Sequence, residues 1–186
     1  MTILCISGEI GSGKTTIAKI LAQNLDFDFL STGELYRTIA NKLDKTVLEL
    51  NQIAEKDDLI DTRINDELVK LNSSSKRCVV DSRLAWFFIP KSLKIYLTVA
   101  PLTAAKRVHL DKNRKNEKIM MSLEDQVKVI EDRRRLEINR FKKKFGIDCA
   151  DLNNYDIVID TTYLDATETF QKIINHAQFK NWKTKN

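Results

Sequence analysis

A chain of 186 residues, 42% hydrophobic and 31% charged, has the make-up of one globular domain with a core of its own, and five glycines and two prolines exclude collagen-like or long low-complexity stretches. No apolar run approaches the ~20 residues of a membrane span, and the opening MTILCISG lacks the basic start of a secretory leader, so a soluble cytoplasmic protein is expected. The net charge of +5 is concentrated: residues 103–145 hold 14 Lys/Arg against 7 Asp/Glu, the rest of the chain 17 against 19. A local basic excess suits either nucleic acid or a small polyanion.

TILCIS (2–7) is a short apolar run stopped by glycine, the pattern of a buried strand. Residues 14–25 follow with Ile17, Ala18, Ile20, Leu21 and Leu25 at helical spacing. FDFL (27–30) predicts a second strand and 32–43 a helix. Residues 48–71 read as a longer, polar helical region with a break near Asp57 and Asp58, ended by SSSK (73–76). CVVD (78–81), LKIYLTV (93–99) and YDIVID (155–160) are three further buried strands. Between the last two come a helix over 103–110, a highly charged loop DKNRKNEK (111–118) and a long helix. Ser122 and Asp125 open that helix as a capping box, and Gly146 ends it. The final helix starts near Asp165, with Glu168 completing another box and Phe170, Ile173, Ile174 and Ala177 on one face.

Five short buried strands alternating with helices predict an α/β fold, a three-layer sandwich with a five-stranded parallel sheet and helices on both faces. Ligands of such sheets bind at the C-terminal strand ends. Those ends are Ser7–Gly8, Leu30–Ser31, Asp81, Val99 and Asp160. Cys5, Cys78 and Cys149 form no CxxC pair and read as buried core residues of a reducing compartment. His109 and His176 sit in helical patterns without partners and carry no expected role.

Gly8-x-x-x-x-Gly13-Lys14-Thr15, set between a strand and a helix, is a phosphate-binding P-loop. Its glycines let backbone N–H groups turn inward around the β-phosphate of ATP. The residues Gly8, Glu9, Ile10, Gly11, Ser12, Gly13, Lys14, Thr15 and Thr16 therefore form the expected ATP site. Lys14 is a mobile point cation for the β- and γ-phosphates, and the Thr15 hydroxyl suits Mg²⁺. Asp81, closing a buried strand, can hold a Mg²⁺-bound water or instead meet the second substrate. Arg133, Glu137 and Arg140 fall at i, i+4, i+7 and share one helical face, where Glu137 can hold both arginines by ion pairing. Arg134 and Arg135 point elsewhere and read as solvated, as do Lys142 to Lys144 near the helix end.

These residues together resemble a family. STGELYR (31–37) resembles the acceptor-binding signature of nucleoside monophosphate kinases, joining the Ser-Thr-Gly opening of adenylate kinases to the Tyr-Arg close of cytidylate kinases. Asp81-Ser82-Arg83-Leu84-Ala85 resembles the [DE]GRLA segment of short, archaeal-type cytidylate kinases. Arg133-x-x-x-Glu137-x-x-Arg140-Phe141, with FGID (145–148), resembles their RxxxExxRY…YGID stretch, and YDIVIDT (155–161) their YDLVINT strand. The resemblance implies an acceptor site at Ser31, Thr32, Gly33, Tyr36, Arg37, Asp81 and Arg83, lid arginines Arg133 and Arg140, and Arg107 stacked on adenine. It also implies one kinase domain, with a core of 1–31, 76–108 and 146–182, an acceptor-binding region 32–75 and a lid 109–145. Ser82 stands where the family has glycine, Asp160 where it has asparagine, and AWFF (85–88) where it has an AGWM-like run beside the acceptor. The region between Arg37 and Lys76 matches no motif.

The leading reading is a monomeric, Mg²⁺- and ATP-dependent kinase of a nucleoside monophosphate, CMP or dCMP first. A P-loop kinase of another small molecule is the second, because AWFF could reshape the acceptor pocket. A nucleotide-dependent nucleic-acid binder using 103–145 is the third.

Overall fold

The computed structural model describes residues 2–45, 47–56, 59–111 and 122–185. Its sheet is built from β1 (Thr2–Gly8), β2 (Asp28–Ser31), β3 (Arg77–Asp81), β4 (Leu93–Thr98) and β5 (Ile157–Asp160). All pairings are parallel, in the order β2-β3-β1-β4-β5. Period-2 alternation on β1 divides the core. Leu4 and Ile6 join Ile17, Leu21 and Phe179 on one face of the sheet, while Ile3 and Cys5 join Leu68, Ala85 and Trp86 on the other. Each fully buried Leu or Ile contributes about 2 kcal/mol of burial free energy.

The first face is covered by α1 (Lys14–Leu25), α8 (Ala166–Asn175) and α9 (Ala177–Lys185). The second is covered by α4 (Leu59–Asn72) and the one-turn α5 (Ala85–Phe88). Between β2 and β3 stand α2 (Thr32–Lys42), α3 (Val47–Lys56) and α4, which share a small core of Ala40, Leu50, Ala54, Ile60 and Ile64. Between β4 and β5 stand α6 (Pro101–Leu110) and α7 (Leu123–Phe145), packed through Ala104, Val108 and Ile130.

Local chemistry sets the ends of these helices. Ser31 caps α2 by accepting from Glu34 N, and Ser122 caps α7 by accepting from Asp125 N at 3.1 Å. Asp165 and Glu168 form the expected reciprocal box at α8, and Gly146 ends α7 at φ 70°. The expected single last helix is in fact two. The chain leaves helical geometry at His176 (ψ 138°), and the bend sends Phe179 into the core beside Trp182, which continuing the α8 period through Ala177 could not do. Most of the charged loop expected over 111–118, with Arg114, and the break expected at Asp57 and Asp58 lie outside the described residues.

The parallel register places the functional strand ends side by side. Asp81 pairs with Ile6 on one side and Ser31 on the other, while Gly8 pairs with Leu97.

Candidate active site

The P-loop leaves β1 at Gly8 and enters α1 at Lys14. Two of its glycines are required by space as well as by dihedral. A Cβ on Gly8 (φ +145°) would lie 2.3 Å from Leu97 O, and one on Gly11 (φ +79°) would lie 2.8 Å from both Ala104 Cα and Ala104 O. Ser12 Oγ donates to Glu9 O at 2.8 Å and Lys14 Nζ to the same carbonyl at 2.9 Å. Thr16 is exposed at the start of α1. The Glu9 carboxylate turns away from the loop, accepting from Val99 N at 2.7 Å and pairing with Arg134. Arg134 is therefore not purely solvated, as expected from helix phase, but ties α7 to the P-loop. Arg135 does stay outside, paired with Asp132 and 69% exposed.

Asp81 joins the two halves of the site. Its Oδ2 accepts from Thr15 of the P-loop at 2.5 Å and from Ser31 of β2 at 3.1 Å. Thr32 Oγ1 reaches Asp81 O at 3.4 Å, and the side chain of Asp81 is almost fully buried. Hydroxyl and carboxylate oxygens converging beside a P-loop are the hard donors that suit Mg²⁺. Among the described residues no group of three His, Cys, Asp or Glu could hold an ion alone, so most ligands to such an ion would be phosphate oxygens and water.

One cleft unites these groups. It is lined by Ile10, Lys14 and Thr15 of the donor loop, by Thr32, Gly33, Tyr36 and Arg37 of α2, by Asp81 to Leu84, by Asp61, Ile64 and Asn65 of α4, and by Arg133, Glu137, Arg140 and Phe141 of α7. The expected acceptor residues Ser31 to Gly33, Tyr36, Arg37, Asp81 and Arg83 thus converge, as do Lys14, Arg133 and Arg140. Arg37 makes no hydrogen bond or ion pair among the described residues, and its Nη1 lies 3.6 Å from where a Cβ on Gly33 would be. It is a cation facing the cleft with its charge uncommitted.

Three other cleft cations, Arg83, Arg133 and Arg140, have carboxylate partners. Glu137 takes Arg83 at 2.7 Å and Arg133 at 3.5 Å, with its own side chain 11% exposed. Burial alone would raise its pKa, but Arg83, Arg133, Arg140 and Lys14 outweigh burial and hold the carboxyl below the ordinary range. Arg140 is not paired with Glu137, as its place on the same face implied; its ion partner is Asp61 at 3.7 Å. Asp61 also receives Lys144 at 2.8 Å, and Lys144 donates to Ala54 O at 2.6 Å. Lys144 is therefore a bridge from α7 to α3 and α4, whereas Lys142 and Lys143 are exposed as expected. Burial raises the pKa of the Tyr36 hydroxyl, against the opposing pull of the Arg140 cation.

Arg107 donates to Gly11 O at 3.3 Å, to Thr161 Oγ1 at 3.2 Å, to Thr161 O at 2.7 Å and to Leu164 O at 3.0 Å. Thr161 Oγ1 in turn reaches Ser12 O at 3.1 Å. The edges of the Arg107 guanidinium thus fasten the loop after β5 to the P-loop. Asp160 is exposed and turns the same loop by accepting from Thr162 N and Oγ1.

One expectation about the acceptor wall needs correction. AWFF does not line the cleft: Ala85 and Trp86 are buried against Ile3, Cys5 and Val80, and Phe87 and Phe88 stack against Phe145. Ser82 does line it, but it is also structural, its carbonyl accepting from Ser7 at 2.7 Å and its hydroxyl from Leu84 N at 3.3 Å. Asp61, Ile64 and Asn65 were missed by motif; their i, i+3, i+4 spacing was the available signal.

Comparison with known proteins agrees with this geometry. A cytidylate kinase from Sulfurisphaera tokodaii is 33% identical over 174 residues, covering 92% of each chain. One from Sulfolobus acidocaldarius is 33% identical over 180 residues, covering 96% of this chain and 95% of its own. Among solved structures, an uncharacterized protein from Eubacterium ventriosum superposes with a TM-score of 0.69 at 19% identity, over 97% of this chain and 99% of that one. Shikimate kinase from Bacteroides thetaiotaomicron gives a TM-score of 0.62 at 16% identity, over 93% and 96%. These two likenesses show a shared fold. With a P-loop, a facing arginine cleft and the cytidylate kinase-like family model matching residues 3–163, the chain belongs to the cytidylate kinase-like family.

Proposed function

We propose that the protein transfers the γ-phosphoryl group of ATP to a nucleoside monophosphate, CMP or dCMP, giving ADP and the diphosphate. The observation that carries this reading is the two-sided cleft: Lys14 and Thr15 on one wall, Arg37 and Arg83 on the other. Names of relatives at 33% identity support cytidylate as the acceptor.

ATP lies with its triphosphate along Gly8 to Thr16. An oxygen of the acceptor phosphate, held by Arg37 and Arg83, attacks the γ-phosphorus in line, and the bond to the β–γ bridging oxygen breaks. The attacking group is already an anion, so no strong general base is required. Lys14, Arg133 and Arg140 stabilise the charge on the transferring group. Thr15 and Asp81 would hold Mg²⁺, which when bound neutralises β- and γ-phosphate charge. Regions 32–75 and 109–145 act as acceptor-binding and lid segments of one domain, closing to exclude water.

The alternative readings lose support. The small-molecule kinase rested on AWFF in the acceptor pocket, and none of those residues lines the cleft, Ala85 and Trp86 being buried in the core. The nucleic-acid binder rested on the basic excess of 103–145, yet Arg107, Arg133, Arg134, Arg140 and Lys144 are all engaged within the molecule. No described helix is long and apolar enough to cross a membrane. The three cysteines are buried and free, which suits a reducing cytoplasm, and a monomer acting on small nucleotides completes the reading.

The test is an ADP-release assay with ATP, Mg²⁺ and CMP, dCMP, UMP, AMP, GMP or dTMP in turn. Turnover strongest with CMP or dCMP is expected; none above background with any acceptor refutes the proposal.

A further inference from the structure

Base identity is the part of the proposed reaction that no residue yet explains. With the acceptor phosphate on Arg37 and Arg83, the wall left for its base is α4 and the facing turn of α7. Ile64 and Phe141 supply apolar surface there, 9% and 7% exposed. Asp61 and Asn65, one helical turn apart, supply the polar groups.

The two polar groups are in opposite states. Asp61 is a carboxylate fixed in place, 12% exposed, with Lys144 on one oxygen and Arg140 near the other. Asn65 is a half-buried amide lining the cleft, and among the described residues it has no hydrogen-bond partner. An amide turned into a cleft with its donors and acceptor unspent is an arrangement that a ligand completes.

We propose that Asp61 and Asn65 read the base of the acceptor and select an aminopyrimidine over an oxopyrimidine. The assignment rests on the nucleoside monophosphate kinase reading above. Asp61 accepts from the exocyclic amino N–H, and Asn65 donates to the neighbouring ring nitrogen N3. A 4-oxo base presents a carbonyl oxygen and an N–H at those two places. An ionised carboxylate has no proton to give that oxygen. Asn65 alone cannot discriminate, because turning its amide exchanges donor and acceptor. The carboxylate fixes the sense of the pair, and the amide adds the second bond.

The experiment measures kcat and KM for CMP and UMP with saturating ATP and Mg²⁺, in the wild type, Asn65→Ala, Asn65→Asp and Asp61→Asn. The wild type should favour CMP by at least ~100-fold in kcat/KM, as sites built to bond a substrate N–H do. Each Asn65 variant should lose ~10- to 100-fold on CMP, mainly in KM, with UMP changed by less than ~3-fold, because the Asp61 carboxylate repels the 4-oxo group and keeps UMP from seating against the amide position. Asp61→Asn should narrow the CMP to UMP ratio by ~10-fold or more, since an amide can donate to the 4-oxo group. Asp61→Asn also weakens the Lys144 bridge, so the Asn65 variants, which disturb no hydrogen-bond partner among the described residues, are decisive. A purely structural role would lower CMP and UMP turnover equally. A wild type that prefers CMP, with a preference that survives both Asn65 substitutions within twofold, overturns the assignment alone. A wild type that phosphorylates no acceptor overturns the kinase reading and this inference with it.

Discussion

Glu137→Gln removes one negative charge while keeping shape, and it tests how the arginines of the cleft are held. Glu137 is 11% exposed, and its partners Arg83 and Arg133 are each 26% exposed. Breaking a fully buried pair costs about 3–5 kcal/mol. The arginines are a quarter exposed, so water recovers part of their loss, and about 2–3 kcal/mol is expected in the ligand-free protein. At roughly 2–4 °C per kcal/mol for a chain of this size, the melting temperature should fall by roughly 5–10 °C. The pH dependence has a definite sign. The folded-state pKa of Glu137 is held below its unfolded value, so its contribution is fully present above the unfolded value and is lost as pH falls through the folded one. Wild-type and variant melting temperatures should therefore differ at neutral pH and converge in acid. Turnover should fall by ~10- to 100-fold, because arginines without their anchor no longer meet the phosphates in one geometry. ATP should stabilise the variant more than the wild type, by giving the released cations an anionic partner. A variant that melts within 1 °C of the wild type at pH 7 and turns over normally would show that Glu137 anchors nothing.

Three further outcomes follow from the same geometry. Gly11→Ala puts a Cβ at 2.8 Å from Ala104 Cα and strains a φ of +79°, so ATP affinity should fall by at least ~10-fold; isothermal titration showing unchanged affinity would count against the loop geometry. Arg37→Ala should lower kcat/KM for the acceptor by ~100-fold while ATP affinity stays within twofold, and a matching loss of ATP affinity would move Arg37 to the donor side. Glu9→Gln and Arg134→Ala, combined in a double-mutant cycle of stability, should show a coupling of about 0.5–1 kcal/mol, because Arg134 is 43% exposed and the pair is partly screened; strict additivity would dissolve the tie between α7 and the P-loop.

What the sequence disclosed and what it withheld divide along a physical line. The P-loop was legible because Gly8 to Thr16 are contiguous and their chemistry depends on local backbone geometry. The face of Arg133, Glu137 and Arg140 was legible because helical periodicity puts those side chains together. The partners of these cations were not, because nothing local pairs Lys144 with Asp61, 83 residues away, or Arg134 with Glu9. Helix phase alone assigned Arg134 and Lys144 to solvent, and tertiary packing overrode it by bringing a carboxylate to each. AWFF misled for a related reason: the resemblance set it where the family has a run beside the acceptor, but one helical turn is enough to carry Trp86 under the sheet, where its Nε1 donates to Arg83 O at 2.9 Å. The indole thus touches the backbone carbonyl of Arg83.

The same carboxylates explain how a site for two polyanions can exist before either arrives. Lys14, Arg37, Arg83, Arg133 and Arg140 line one cleft with Asp61, Asp81 and Glu137, five cations against three anions. Five unpaired cations at that spacing would repel one another and stay solvated and mobile. Three carboxylates remove most of that repulsion and leave a net charge of +2, small enough for the empty fold to tolerate and of the right sign to attract phosphate. The carboxylates are not spread evenly. Glu137 and Asp61 hold Arg83, Arg133 and Arg140, while among the described residues Arg37 is left without a carboxylate. An entering phosphate therefore meets one uncommitted cation first and competes for the others only as it settles. On the proposed reading, that order would bind the acceptor through Arg37 and reserve Arg133 and Arg140 for the charge that develops during transfer, which is where fixed dipoles and cations lower a barrier rather than merely tighten binding.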